Sequence, residues 1–291
     1  MKKILWVINP LQFKEDDLAY PQYISRVING KLTGVFLENG RDTNPSATYN
    51  VFNYSKVFRK EITPNEEQEK VEKRKMAVIK VLQEKALCVN LHQDGGIPLQ
   101  DLIMESRYAD ILLVDAGLTF DETDNHLPSS FVKNVLSKAE CPVLVMPAEH
   151  KEIREIVFTY NGSYSSVFAI KQFTYLFSGL QDLQATVLYA PEDDAGDSLE
   201  RKRFIAELLR SHYSRLDFKV MHDKLDHCLF PEILLKTDAI IVFGGYRNKP
   251  SSRSVKGNAE NAIHSIRLPI FITQTFELTQ TPPQKSGASQ L

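Results

Sequence analysis

Short apolar runs recur along the chain and alternate with longer segments in which apolar residues repeat every three or four positions. A short apolar run between polar segments is typical of a β-strand buried on both faces, and the longer periodic segments are typical of helices that pack on a sheet. The alternation predicts βαβ units with a mainly parallel sheet. The predicted strands are 4–8, 32–37, 86–91, 110–114 and 141–146 in the first half, and 156–160, 185–189, 216–221, 238–243 and 268–273 in the second.

Helical periodicity is clearest between these strands. Residues 65–84 carry apolar positions on one face and Glu and Lys on much of the other, and residues 129–138 begin with a serine suited to capping a helix. The remaining predicted helices are 163–177, 199–213, 230–236 and 258–266.

The two halves end in the same phrase. DILLVDAG leads through a helical segment to CPVLVMP, and DAIIVFGG leads through another to LPIFITQ. This internal repeat predicts two tandem domains, 1–148 and 154–274, joined by a short charged linker. Residues 275–291 have no strand or helix pattern and are expected to be a disordered tail. The polar segment 41–64 has no counterpart of that length in the second half; we expect it to pack back on its domain or to contact a ligand.

Composition narrows the classes of function. The 291 residues carry a formal net charge of -2, with 43% hydrophobic and 25% charged residues, as in a globular protein. No basic excess points to nucleic acid, and no apolar run is long enough to span a membrane. Three scattered cysteines, Cys88, Cys141 and Cys228, indicate a reduced, cytoplasmic protein.

The strings ADILLV (109–114) and AECPVLV (139–145), with DAIIV (238–242) and LPIFI (268–272), resemble the universal stress protein family in its tandem form. The resemblance implies an α/β fold of two doubly wound, five-stranded parallel-sheet domains, adenine-nucleotide alpha-hydrolase-like, with strand order 3-2-1-4-5. It also implies pairing of two copies through their last strands, within one chain or in a homodimer.

Strands one and four would then lie side by side with crossovers to opposite faces, and ligands of open α/β sheets bind at that switch point. In the first half it would be lined by Asn9, Pro10 and Asp115 to Gly117. In the second half it would be lined by Asn161, Gly162 and Ser163 together with Phe243, Gly244 and Gly245.

ATP-binding members of the family carry a G-x-x-G-x9-G-[ST] run there, whose glycines let backbone N–H groups approach the phosphates. Counted from Asp238, no glycine falls on the three positions. A shift of one residue places the run on Gly244, Arg247, Gly257 and Asn258, and recovers two glycines. Four cations of the same loop could hold an anion by charge instead, or form a solvated loop: Arg247, Lys249, Arg253 and Lys256.

The first half departs further from the family motif. Asp115 occupies the first glycine position, where a carboxylate would repel a triphosphate, and only a serine at 129–130 matches the end of the run. Both halves have asparagine, Asn9 and Asn161, where nucleotide-binding members have aspartate. We therefore expect a degenerate first-half site.

No catalytic constellation stands out. His222, His227 and Cys228 lack further metal ligands, and no paired carboxylates have helical spacing near a predicted crevice. We expect no enzyme and no metal, with slow ATP hydrolysis the open exception. Two functions remain: a stress-response regulator that binds ATP, a related adenine nucleotide or another anion weakly in its second half, or a scaffold that acts through a regulatory protein partner.

Overall fold

The computed structural model describes most of both halves of the chain. The described residues are 1–36, 66–85, 88–91, 98–119, 123–147, 149, 151–190, 198–221, 232–245, 262–264 and 267–274. The predicted insertion 41–64, the tail 275–291, most of the predicted helix 258–266, and Cys228 lie outside them.

The first half begins with a strand and alternates strands with helices. Its elements are β1 (Lys2–Ile8), a 3₁₀ helix (Glu15–Leu18), α1 (Ala19–Val27), β2 (Gly30–Phe36), α2 (Glu66–Glu84), β3 (Cys88–Leu91), α3 (Pro98–Ser106), β4 (Ile111–Asp115), α4 (Ser130–Lys138) and β5 (Val143–Met146).

The second half follows the same alternation. Its elements are β6 (Glu155–Tyr160), α5 (Tyr164–Leu176), a 3₁₀ helix (Ser178–Leu180), β7 (Gln184–Tyr189), α6 (Ser198–Arg210), β8 (Leu216–Val220), β9 (Ala239–Gly244) and β10 (Ile270–Thr273). The prediction of an α/β fold with a mainly parallel sheet is confirmed.

The strands described form one ten-stranded sheet in the order β3-β2-β1-β4-β5-β10-β9-β6-β7-β8. Neighbouring strands within each half are parallel, and β5 and β10 are antiparallel where the halves meet. The carboxyl ends of the strands therefore point to one edge of the sheet in the first half and to the opposite edge in the second.

Burial on both faces explains why the strands read as continuous apolar runs. Ile4, Trp6 and Ile8 of β1 belong to the core on one face, and Leu5 and Val7 belong to the core on the other. Alternate side chains of a strand point to opposite faces, so both sets must be apolar when helices cover both faces.

A short ladder joins the two halves, and an aromatic cluster of the second half lies beside it. Val143, Leu144 and Val145 pair with Ile272, Phe271 and Ile270. The ring of Phe271 meets Phe173 of α5 and Phe177, which follows α5, edge-on, with centroids 5.3 and 5.8 Å away. Edge-to-face rings are a favoured aromatic geometry.

Contacts between the halves continue on the α1 side of the sheet. The ammonium of Lys2 donates to the carbonyls of Tyr175 and Leu176 at the end of α5, where the helix dipole favours a cation. The backbone of Ile153 donates to the hydroxyl of Tyr23 at 3.0 Å. The core on this face therefore runs through both halves.

Serine side chains cap two helices, and the sequence predicts the first of these caps, Ser129. The hydroxyl of Ser129 accepts from the amide of Val132, and that of Ser163 accepts from the amide of Ser166. In the part of the chain described, every helix is too short or too polar to cross a bilayer.

Helix α5 packs directly on the end of β9. A Cβ atom added to Gly244 would lie 2.4 Å from the Cα of Ser166 and 2.5 Å from its amide nitrogen. The backbone of α5 therefore occupies the space that a side chain at position 244 would need.

We expect Gly244→Ala to lower the free energy of unfolding by about 1–3 kcal/mol, because the overlap is with backbone and cannot be relieved by a rotamer change. Gly117→Ala is the matched control: its Cβ would meet only the Cδ1 of Leu127, at 3.8 Å. The control should change stability by less than about 0.5 kcal/mol in urea unfolding. Equal losses in the two variants would contradict this packing.

Candidate functional site

The connection after the first strand differs between the halves. Residues 161–163 link β6 to α5, whereas residues 9–18, including a 3₁₀ helix, link β1 to α1. In the second half the helix therefore starts against the strand ends. In the first half the helix starts further away and leaves a cavity of about 1100 Å³ at the carboxyl ends of β1 and β4.

Both halves line this cavity, called here the first-half cavity. From the first half it receives Trp6, Phe13 and Tyr20 as well as Asn9 and Asp115 to Gly117, which are the crevice residues expected for this half. From the second half it receives Ile263, His264, Arg267, Leu268 and Ile270. The antiparallel pairing makes this possible, because β10 begins beside the carboxyl end of β5.

Asn9 is a structural residue of the cavity floor. Its side-chain nitrogen donates to the carbonyl of Thr119 at 2.8 Å, and its side-chain oxygen accepts from the amide of Leu11 at 3.0 Å. Its own carbonyl accepts from the amides of Gln12 and Phe13. The amide group thus joins the loop after β1 to the loop after β4.

Asp115 is one of the carboxylates that line the cavity. It ends β4 and is partly buried, and no hydrogen bond to its side chain is found among the described residues. Burial, and to a smaller extent the negative charge of Asp17, together raise the pKa of Asp115 to about 7. The group is therefore poised to change charge near neutral pH.

Trp6 forms a buried wall of the cavity. Its side chain is 2% exposed, and its indole N–H lacks an acceptor within the described part of the chain. The ring packs against Phe13 with centroids 6.1 Å apart. A buried donor without an acceptor is costly, and such groups call for an explanation.

The start of α4, where ATP-binding members would hold phosphate, already has a carboxylate. Asp124 accepts from the amide of Ser130 at 2.6 Å, and this bond, with one from His126, lowers the pKa of Asp124 to about 2. The hydroxyl of Ser129 accepts from Val132 and donates to the carbonyl of Leu118. These groups cap the helix end from within the protein.

Five of the eight residues predicted to bind a ligand lie together at the second-half switch point. The side-chain oxygen of Asn161 accepts from the amide of Ser163 at 3.1 Å and from its hydroxyl at 2.7 Å. Gly162 and Gly245 have positive φ, and Gly244 and Gly245 lie against Ser165 and Ser166. The other three predicted residues, Arg247, Gly257 and Asn258, lie outside the described residues.

Strand pairing relates the two switch points. Ile4 pairs with Ile111 and Ile156 pairs with Ile240, and Asn9 and Asn161 each follow five residues after their isoleucine. Asp115 and Gly244 therefore occupy the same position of their halves. Gly244 stands in the first glycine position of the shifted register, not the register counted from Asp238.

Arg201 is a residue of the second-half switch point that sequence reasoning missed. A Cβ on Gly162 would lie 3.0 Å from the Cδ and 3.2 Å from the Nη1 of Arg201. The hydroxyl of Tyr160 donates to the carbonyl of Arg201, and Tyr160 stacks on Tyr189. Arg201 lies on an ordinary amphipathic helix, so no local signal in the sequence distinguishes it.

Other reactive groups are few in the described ranges. They contain no cluster of three or more His, Cys, Asp or Glu residues that could hold a metal ion. Burial raises the pKa of Cys141 to about 12, which leaves its thiol protonated and unreactive at neutral pH.

Comparison with known proteins shows the fold. A universal stress protein from Archaeoglobus fulgidus DSM 4304 superposes with a TM-score of 0.63 at 11% identity, over 94% of this chain and 96% of that one. A protein of unknown function from Pseudomonas aeruginosa PAO1 gives 0.60 at 16% identity, over 94% and 92%. A proposed universal stress protein from Pseudomonas aeruginosa UCBPP-PA14 gives 0.60 at 15%, over 94% and 93%.

The likeness is one of structure. No protein-family model matches the sequence, and no curated protein matches it. At these identities the superpositions show that the chain has the fold of universal stress proteins, as the resemblance of its sequence implies.

The raised pKa of Asp115 predicts a pH-dependent stability. A carboxyl whose pKa is higher in the folded state destabilises the fold as pH rises from about 4 to about 7. We expect Asp115→Asn to match the wild type near pH 4 and to exceed it by up to about 4 kcal/mol above pH 8, in urea unfolding measured across pH.

Asp124→Asn is a control for which the change in stability should have the opposite sign. The pKa of Asp124 is lowered, so removal of its charge should cost stability at neutral pH and progressively less as pH falls towards 2. A difference between Asp115→Asn and wild type that stays constant with pH would contradict the prediction.

Proposed function

We propose that this chain is a two-domain universal stress-type protein that binds a small molecule in its first-half cavity and acts through that binding instead of catalysing a reaction. The observation that carries the proposal is the cavity itself. It lies at the switch point where open α/β sheets bind ligands, and its volume is suited to a small organic molecule.

We propose residues 1–148 and 154–274 as two tandem domains of one kind. The strands of each half follow the order 3-2-1-4-5, and the halves meet through their last strands. This pairing within the chain satisfies both last strands, so a homodimer would have to use other surfaces. A stress-response role and a cytoplasmic location belong to the same proposal, the latter supported by the free, buried thiol of Cys141.

The first-half cavity is poorly suited to a nucleotide triphosphate. Asp115 places a carboxylate at the strand end, and Asp124 already accepts from the amide at the start of α4. Asn9, in the position of the family's aspartate, has both its side-chain atoms engaged with backbone. These groups favour a ligand without a phosphate chain.

A second candidate is weak binding of ATP, a related adenine nucleotide or another anion in the second half. Arg201 beside Gly162 carries this candidate, because a guanidinium at the strand ends could pair with a phosphate. The cap hydroxyl of Ser163 lies at the same edge. A scaffold that acts through a protein partner is the remaining alternative.

Native mass spectrometry of gently purified full-length protein tests the main proposal. We expect a small-molecule adduct in the wild type and its loss in Ala19→Trp, since Ala19 is an exposed residue lining the first-half cavity and an indole there would obstruct part of it. Tyr164→Trp is the matched control at the first position of α5, and it should retain the adduct.

An adduct that survives Ala19→Trp would place the ligand elsewhere. A wild type that carries no adduct and takes up none from a library of small organic fragments would favour the scaffold, whose partner should then be captured equally well by Ala19→Trp.

Thermal shift with ATP tests the second candidate. If the second half holds the nucleotide, the midpoint of unfolding should rise with ATP, and Arg201→Gln should reduce that rise while Asp115→Asn leaves it intact. No shift with millimolar ATP would exclude the candidate. Phosphate release at the rate of a buffer blank would exclude slow ATP hydrolysis.

A further inference from the structure

The first-half cavity combines carboxylates, aromatic walls and an unused hydrogen-bond donor. Its ligand class follows from these groups, on the premise of the proposed function that the cavity binds a small molecule. Each of these groups favours a particular chemical property of the ligand.

The carboxylates of the cavity favour a ligand that carries a positive charge. Asp115 and Asp17 both line the cavity and lie close enough for their charges to interact unfavourably. The carboxylate of Asp115 receives no hydrogen bond from the described residues. A cation placed beside Asp115 would replace the lost solvation and relieve the repulsion from Asp17.

The aromatic side chains of the cavity wall favour a ligand with an apolar or aromatic part. Trp6, Phe13 and Tyr20 line the cavity and are all at least nine-tenths buried. Aromatic faces attract organic cations, and Trp attracts them most strongly. The indole N–H of Trp6, which has no acceptor in the described part of the chain, also demands a hydrogen-bond acceptor.

We infer that the first-half cavity selects a small organic ammonium compound, with its cationic nitrogen beside Asp115, its apolar or aromatic body against Trp6 and Phe13, and one acceptor for the indole N–H of Trp6. The alternation of β1 and β4 supports this placement. Trp6 and Leu113 are paired neighbours on the same face of the sheet, and Asp115, two residues after Leu113, points to that face as well.

A metal ion fits the cavity less well. The described residues bring no third carboxylate, His or Cys to Asp115 and Asp17 in metal-binding geometry. A bare divalent ion would also leave the aromatic walls and the indole N–H without a partner. An organic cation with a hydrogen-bond acceptor could interact with the carboxylates, the aromatic walls and the indole N–H of Trp6 together.

Binding should strengthen as pH rises through about 7, because Asp115 then gains its charge. The other charged or titratable groups that line the cavity are Lys14, Asp16, Asp17, Tyr20, Glu149, His264 and Arg267. Because these other groups share the cavity, the variant at Asp115 is needed to isolate the contribution of that carboxyl.

The test uses three probes with the same hydroxyphenyl body: tyramine, which is cationic, tyrosol, which is neutral, and 3-(4-hydroxyphenyl)propanoate, which is anionic. Each has a phenol oxygen that can accept from Trp6. Dissociation constants are measured with the full-length protein by titration calorimetry or ligand-observed NMR at pH 6 and pH 8. We expect tyramine to bind at least about tenfold more tightly than the anion at pH 8, and less tightly at pH 6.

Variants assign the preference to residues. Asp115→Asn should bring tyramine to the affinity of tyrosol and remove its pH dependence, whereas Asp182→Asn, at an exposed carboxyl of the second half, should change nothing. Trp6→Phe keeps a ring and removes the N–H, and should weaken all three probes by a similar factor. Ala19→Trp should abolish binding of all three.

The inference is overturned if tyrosol or the anion binds as tightly as tyramine, if the pH dependence persists in Asp115→Asn, or if Ala19→Trp leaves tyramine binding intact. If none of the probes binds while a native adduct sensitive to Ala19→Trp is found, the inference is overturned and the proposed function stands. If none of the probes binds and no native adduct is found, both the inference and the proposed function are overturned.

Discussion

The antiparallel pairing of β5 with β10 is the interaction on which the rest of the molecule depends. It turns two five-stranded halves into one sheet and leaves neither last strand as an open edge, which would otherwise invite association with another chain. Only three residue pairs form the ladder, and hydrogen bonds on the α1 side add further contacts between the halves. The same pairing brings side chains of the second half, among them His264, Arg267 and Ile270, to the first-half cavity.

Two similar halves carry different crevices because of one loop and one side chain. A three-residue connection after β6 brings α5 onto Gly244, whereas the long connection after β1 leaves space in front of Asp115. Positions 244 and 115 are equivalent in the two halves but differ in side chain. Gly244 lets the backbone of α5 approach the strand, whereas Asp115 places a partly buried carboxyl group there. The two halves thus share a strand arrangement but differ in the chemistry at their switch points.

Much of the fold could be predicted from the sequence, because burial on both faces makes strands such as β1 and β9 continuous apolar runs. The cap at Ser129 was equally legible, since a serine before a periodic run has a local meaning. Helices α1 and α3 were not identified, because Pro21 and Pro98 and their short lengths weaken the periodic signal. The cavity, the position of Arg201 and the equivalence of Asp115 with Gly244 could not be predicted. They depend on loop paths and strand register, which are set by packing across the whole sheet.

Strand β10 also has a consequence for the two crevices. Its first residue, Ile270, lines the first-half cavity, and its last, Thr273, pairs with Gly244 at the second-half switch point. Three steps along a strand span about 10 Å. The crevices open at opposite edges of the sheet, yet the single short strand β10 extends from one to the other. Because β10 is paired on both of its edges, its position is fixed by both halves at once, and both crevices share that one fixed strand.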